Sequence, residues 1–414
     1  MHVDTTIVFS LLHLLFLFSP NFCRAFSLKV SPRYSSVSRG VNPSLKVTRG
    51  LGSSGESLLH QQIPGKNDMS ASGTKIWSLS TITVMATPLL SSLLLSLGNI
   101  LHTLKMLCME PLMCITRLLR MRITGSSTYD FSNKCVWITG AGSGIGKALA
   151  IECYRLGATI VVTSRSVEKL REVEALCKQC IDNSHSDTSR LQKIIVFPKD
   201  LSNYREAENY YAELESKLKA DGIMGVDVLF NVAGMSSRGS VLSTDIQTVE
   251  NIMNINFMAP VALTKAVLPS MISRRCEEPR HVVVISSVQG KVAIPFRSTY
   301  SASKHAVQGY FDSLRSELVG SNANVRVMIV SPGYVVTNLS KNALNGDGSK
   351  YGITDDSTAK GMKPEILSKT IINGMRDEVE DLVVADLTAN IAIYLKAMWP
   401  AFFSILMNQR ARKH

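Results

Sequence analysis

The chain has 414 residues, 45% of them hydrophobic, with a formal net charge of +12; it can bury a large core and is long for one small domain. The charge is uneven: residues 1–125 hold 12 Lys and Arg against 4 Asp and Glu, so the other 289 residues carry only +4. A nucleic-acid binder gathers its basic residues on a folded domain, whereas this excess lies in a leader, which points to targeting or membrane contact and away from nucleic acid. The 8 cysteines are scattered rather than arranged as a disulfide framework. Cys177 and Cys180 form a lone CxxC without the further ligands a zinc site needs, so no metal is expected.

Residues 1–25 read as a signal-peptide-like segment: IVFSLLHLLFLF at 7–18 is an apolar run of the right length, and Cys23-Arg24-Ala25 offers small residues for cleavage, although MHVD lacks the usual basic start. Residues 26–76 form a transit-like or linker segment; 26–55 are rich in Ser, Arg and Lys and hold no acid. A signal followed by such a stretch is similar to the two-part presequence of plastid proteins, and an endoplasmic-reticulum signal followed by a linker is the alternative. Residues 77–125 form a membrane-associated segment in which 82–101 (ITVMATPLLSSLLLSLGNIL) has no charge and is long enough to span a bilayer. Pro88 and Asn99 favour the competing reading, an interfacial or re-entrant helix. Lys105, Arg117, Arg120 and Arg122 follow it, against Lys75 alone nearby before it, so the rest of the chain is expected on the cytosolic or stromal side.

From 130 to 390 short apolar runs alternate with helix-length segments: CVWI, TIVVT, KIIVF, VDVLF, HVVVIS and VRVMIV. That alternation predicts an α/β domain with a doubly wound parallel sheet of the Rossmann type, covered on both faces. Residues 391–414 form an apolar, aromatic tail ending in Arg410, Arg412 and Lys413, which either docks on a bilayer surface or covers the domain.

The first run leads into Thr139-Gly140-Ala141-Gly142-Ser143-Gly144-Ile145-Gly146 and then into a helical stretch. Glycines there let the backbone turn tightly and approach a pyrophosphate held at the helix N-terminus. Farther along, Tyr300 alone among the 11 tyrosines has a lysine, Lys304, four residues on. Four residues apart on a helix, the two side chains can reach each other, and an ammonium beside a phenol favours the phenolate. Taken alone, that pair is more simply a surface helix turn.

The glycine spacing together with Tyr300 and Lys304 resembles the short-chain dehydrogenase/reductase family, over residues 133–384. Asn231-Val232-Ala233-Gly234 is similar to the family's NNAG turn, Asn256 to its helix asparagine, Ser287 to the serine thirteen residues before the tyrosine, and Ser331-Pro332-Gly333 with Val335 and Thr337 to the segment beside nicotinamide. Within the family the chain is most similar to a membrane-attached branch. The resemblance implies an NADP(H)-dependent oxidoreductase acting on CH–OH donors. Tyr300 would be the general acid, Ser287 the hydrogen-bond donor to the carbonyl oxygen, Lys304 the charge that lowers the Tyr300 pKa and holds the ribose, and Asn256 the holder of a water leading to solvent. Cofactor contacts would come from Thr139, Gly140, Ser143, Gly144, Ile145, Gly146, Asn231, Ala233, Gly234, Pro332, Gly333, Val335 and Thr337. Asp200 would touch adenine; its plain alternative is a helix N-cap. Ser164 stands where NAD enzymes place an acid, and Arg165 follows it, so NADPH is expected over NADH. Residues 338–364 would be a flexible flap. The expected partners are a lipophilic carbonyl or alcohol substrate and a membrane, with room for a homo-oligomer. A cofactor-binding scaffold without catalysis is the alternative function.

Overall fold

The computed structural model describes residues 129–182, 192–274 and 277–412. The signal-like, transit-like and apolar 82–101 segments lie outside the described residues.

Seven strands form one parallel sheet: β1 (Cys135–Thr139), β2 (Thr159–Thr163), β3 (Ile194–Val196), β4 (Val228–Asn231), β5 (Arg280–Ile285), β6 (Val325–Pro332) and β7 (Asp381–Val384), in the order β3-β2-β1-β4-β5-β6-β7. β1, β2, β4 and β5 are buried along their whole length, as expected of strands covered on both faces. Successive side chains point to opposite faces. Val136, Ile138, Ile160, Val162, Val228 and Phe230 enter one core layer, and Trp137, Val161 and Leu229 the other. Each fully buried side chain of this size contributes about 1.5–3 kcal/mol. The Trp137 indole N–H is satisfied by Thr163 Oγ1 at 2.9 Å.

Helices α1 (Gly144–Arg155) and α2 (Val167–Asp182) cover the first face together with α8 (Pro364–Arg376), whose Leu367, Ile371 and Met375 enter that layer. The second face is covered by α3 (Ala207–Ala220), α5 (Ala259–Ser273) and α6 (Ser298–Gly320). Helix α4 (Ile246–Met253) runs into α5 through a π-helical turn, Asn254–Met258. A short α7 (Asp356–Ala359) precedes α8, and α9 (Leu387–Met398) and α10 (Pro400–Ala411) end the described chain. Among the described residues, the continuous helix 246–273 is the one long and apolar enough to cross a membrane. It belongs to the fold: Leu263, Val267 and Met271 pack on the sheet.

The strand order reverses between β1 and β4. In open α/β sheets, ligands bind beyond the carboxyl ends of the strands at such a switch point.

Candidate active site

Thr139 ends β1 at the switch point. Its Oγ1 donates to the Phe230 carbonyl (3.2 Å) and accepts from the Val232 and Ala233 N–H groups (2.9 and 3.2 Å), which ties the turn after β1 to the turn after β4. Gly140 and Gly144 have φ of 65° and 53°, the left-handed region that favours glycine. A Cβ on Gly140 would lie 2.9 Å from the Ala233 nitrogen, and one on Gly146 would lie 2.4 Å from the Gly140 carbonyl oxygen. Side chains at Gly140 and Gly146 would therefore collide with backbone, and the turn packs tightly against the turn after β4 at the mouth of α1. Ser143 precedes α1 in extended backbone without a side-chain cap, and Ile145 packs into the first core layer. A Cβ on Gly144 would meet Thr337 Cγ2 at 2.9 Å, so the loop after β6 closes against the glycine turn. Within that loop, Pro332 ends β6, the Gly333 N–H donates to the Val384 carbonyl (2.9 Å), and buried Val335 bridges to Met362.

At the end of β2, the half-buried Ser164 hydroxyl donates to the Ser166 carbonyl (3.3 Å) and stands against the glycine turn, 2.9 Å from where a Gly142 Cβ would be. Arg165 beside it is exposed. Asp200 is no helix N-cap: its carboxylate accepts from the Ser202 N–H (3.0 Å) and hydroxyl (2.8 Å), a local Asx-type turn. Asn231 donates to Thr264 Oγ1 (3.0 Å), while its Oδ1 is buried with no partner among the described residues.

Tyr300 and Lys304 lie on one face of α6, both buried. The Lys304 Nζ donates to the Ile285 carbonyl at 2.8 Å and lies 5.9 Å from the centre of the Tyr300 ring. Ser287 follows β5 and caps a short 3₁₀ turn, accepting from the Gln289 N–H at 3.1 Å; its hydroxyl also hydrogen-bonds the Tyr300 phenol. Asn256 lies in the π-helical turn, a feature common at functional sites. Its amide exchanges two hydrogen bonds with the Met235 backbone, at 2.7 Å to the N–H and 2.8 Å to the carbonyl, and donates a third to Ser303 Oγ (2.9 Å), which donates to the Tyr300 carbonyl (2.8 Å). Both Asn256 amide hydrogens are thus spent, and one Oδ1 lone pair is left to accept. A Cβ on Gly234 would lie 3.1 Å from that oxygen and 3.6 Å from Lys304 Nζ, so glycine there keeps the space between the two open.

The electrostatics correct one expectation. Burial pushes the Tyr300 phenol up, and the opposing influences are the Ser287 hydrogen bond and the charges of Arg297 and Arg238, rather than Lys304. Lys304 points past the ring to a carbonyl, and burial lowers its own pKa to about 8.

Arg238 and Arg297 are the residues that motif reasoning missed. Arg238 and Arg297 both reach Asp355 Oδ2, at 2.6 and 3.0 Å. Arg238 also donates to Ser236 Oγ (2.7 Å), the Ser237 carbonyl (2.9 Å) and Ser340 Oγ (3.1 Å). Tyr351 donates to Asp355 Oδ1 (3.3 Å), and Ser340 pairs with Thr358 (2.8 Å). Burial alone would raise the Asp355 carboxyl, but the two arginines outweigh it and hold it at about 2. This cluster joins the loop after β4, the loop before α6 and the 338–364 segment. The segment expected to be a flexible flap is therefore fastened, and also bridges by backbone at Ser237–Leu344 and Leu344–Lys350. The one sequence signal was Arg297 standing three residues before Tyr300; its partner Asp355 is 58 residues away.

The glycine turn lies at the mouth of α1, and Ser287, Tyr300 and Lys304 lie after β5 and in the first turns of α6, an arrangement that fits an α/β oxidoreductase with a nicotinamide cofactor. The model of the short chain dehydrogenase family matches residues 134–347, and the chain belongs to that family. Among its relatives, dehydrogenase/reductase SDR family member 7B of Danio rerio is 42% identical over 284 residues, covering 69% of this chain and 87% of that protein. The protein of that name from Xenopus laevis is 44% identical over 278 residues, covering 67% and 82%. Dehydrogenase/reductase SDR family protein 7-like of Drosophila melanogaster is 40% identical over 281 residues, covering 68% and 81%. Of solved structures, a short chain dehydrogenase/reductase from Burkholderia phymatum in complex with NAD shares the fold, with a TM-score of 0.54 and 21% identity over 65% of this chain and 95% of that one.

Proposed function

We propose that this chain is a membrane-associated, NADP(H)-dependent oxidoreductase that interconverts a ketone and a secondary alcohol on a lipophilic substrate. The observation that carries it is the burial of Asn256, Ser287, Tyr300 and Lys304 together with a tight turn at the mouth of α1 in which Gly140 and Gly146 admit no Cβ. That turn fits a dinucleotide pyrophosphate: Thr139, Gly140, Ser143, Gly144, Ile145 and Gly146 would line it, Ser164 and Arg165 would lie at the adenosine end, and Asn231, Ala233, Gly234, Pro332, Gly333, Val335 and Thr337 toward the nicotinamide. A bound nicotinamide supplies or accepts the hydride.

The chain's own residues handle the proton and the oxygen. Tyr300 gives its phenolic proton to the carbonyl oxygen during reduction and takes it back during oxidation. Such general acid–base help is worth about 10²–10⁴-fold. Its raised pKa keeps the proton on the phenol at neutral pH, which suits an acid. Ser287 directs a hydrogen bond at the oxygen where charge develops. Lys304 fixes the ribose, and with Asn256 lines the space beside Gly234 where a water held by Asn256 would link Lys304 to solvent.

A lipophilic substrate, such as a keto-lipid, an acyl-dihydroxyacetone phosphate, a steroid or a retinoid, is favoured by the charge-free 82–101 segment and by the relatives' family branch. That segment would hold the chain in an endoplasmic-reticulum or plastid membrane with the folded part on the cytosolic or stromal side. The test is NADPH consumption by the full chain in membranes against a panel of long-chain ketones: turnover of at least one is expected. NADPH binding with no oxidation by any ketone would mark a scaffold instead.

A further inference from the structure

We propose that α9 and α10 form a docking face whose partner is the surface of a lipid bilayer, bringing the site onto the membrane at a second place besides the 82–101 segment. This rests on the reading of a lipid-side substrate above and adds the surface that meets the lipid. Leu387, Ile391 and Tyr394 stand on one face of α9 at i, i+4 and i+7, with Leu387 76% and Ile391 53% exposed. Lys396, the only charged residue of α9, turns the other way. Its Nζ donates to the Lys291 carbonyl at 3.0 Å and lies 3.3 Å from His305 Nε2. A helix that faces water has the reverse arrangement, charge outward and apolar side chains inward.

Trp399 and α10 expose a further apolar set. Trp399, Phe402 and Ile405 follow at steps of three and are 50%, 52% and 53% exposed. Arg410 and Arg412 are exposed at the end of the helix. Aromatic and aliphatic side chains rimmed by arginines are the make-up of a helix lying in the headgroup boundary, and the arginines complement anionic lipid. The inward side of the same helices, with Ile393 and Phe403, packs on Val288 and Val292. Val288 opens the turn that follows Ser287, and the Val292 N–H donates back to the Val288 carbonyl (2.9 Å). The face therefore backs onto the element that carries the proposed carbonyl contact, and a substrate dissolved in lipid would have a short path to it.

The test uses the full chain reconstituted in phosphatidylcholine–phosphatidylserine vesicles with brominated acyl chains. The chain has 3 tryptophans; Trp137 is fully buried, and Trp77→Phe leaves Trp399 as the reporter. Brominated lipid is expected to quench part of the emission, and adding Trp399→Phe should abolish that quenching. Quenching by aqueous iodide but not by bromolipid would overturn the proposal. So would shielding from both quenchers, which would mean that a second copy or another part of the chain covers the face. A second arm compares Ile391→Glu with Phe402→Glu combined against wild type: kcat/KM for a bilayer-dissolved long-chain ketone should fall about tenfold or more as the apolar anchor is lost, with turnover of a water-soluble ketone unchanged. Equal loss on both substrates would also count against it. If the wild type reduces no ketone, the proposed reaction fails while the quenching still decides the docking face.

Discussion

Lys304 is a buried ammonium with one protein hydrogen bond in view, to the Ile285 carbonyl. Burial favours its neutral form, and its pKa falls to about 8. A rate that needs the charged lysine should therefore decline as pH rises past about 8. We expect kcat/KM for ketone reduction to bend downward there, and a flat profile through pH 9 would contradict the assignment. The stability sign is opposite: the folded state gives up this proton at lower pH than the unfolded chain does, so this site stabilises the fold increasingly as pH rises from about 8 toward the ordinary lysine value of 10.5. Arg165 makes a second residue-level prediction. A guanidinium can grip a 2′-phosphate with two hydrogen bonds, and a charge-assisted bond contributes about 1.5–3 kcal/mol. Arg165→Ala should weaken NADPH binding roughly ten- to hundredfold and leave NADH almost unchanged. Equal losses for both cofactors, read by titration calorimetry, would show that Arg165 does not read the phosphate.

Among the elements, the 338–364 segment departs most from what its composition suggests. Its Gly, Ser, Asp and Lys content reads as a mobile loop, yet Asp355 within it receives two arginines from outside it. Composition reports local preference, whereas this anchoring depends on partners 58 and 117 residues away. Asp355→Asn would leave two largely buried guanidinium groups without their counter-charge. Breaking such a pair costs about 3–5 kcal/mol, so the variant should melt several degrees lower. It should also be cut faster by trypsin after Lys341, Lys350 or Lys360. Unchanged cleavage would show that the segment is held by other contacts. The strands were legible for the reason that hides this loop: CVWI, TIVVT and HVVVIS are buried on both sides and read as unbroken apolar runs. β7 was not legible, because it is four residues long, begins on exposed Asp381 and is only half buried. The π-helical turn at Asn256 was also invisible, since it changes hydrogen bonding without changing the apolar pattern.

At the scale of the whole molecule, the glycine turn and the Ser287–Tyr300–Lys304 set were readable because each depends on local spacing. Of the two arginines whose charges act on Tyr300, Arg297 is a near neighbour in sequence, but Arg238 comes from the loop after β4, and only the fold brings it near. The same holds for the burial that raises the Tyr300 pKa, which reverses the expectation drawn from the lysine four residues away. In the proposed reaction Tyr300 is the acid that protonates the substrate oxygen. The most direct test of that role is Tyr300→Phe in the full chain, with NADPH-dependent ketone turnover and NADPH affinity measured on the same preparation. Phenylalanine keeps the ring and its packing but has no proton to give, so turnover should fall about 10²–10⁴-fold while NADPH affinity stays nearly unchanged. Retention of more than about a tenth of normal turnover, well short of what a lost general acid removes, would contradict it.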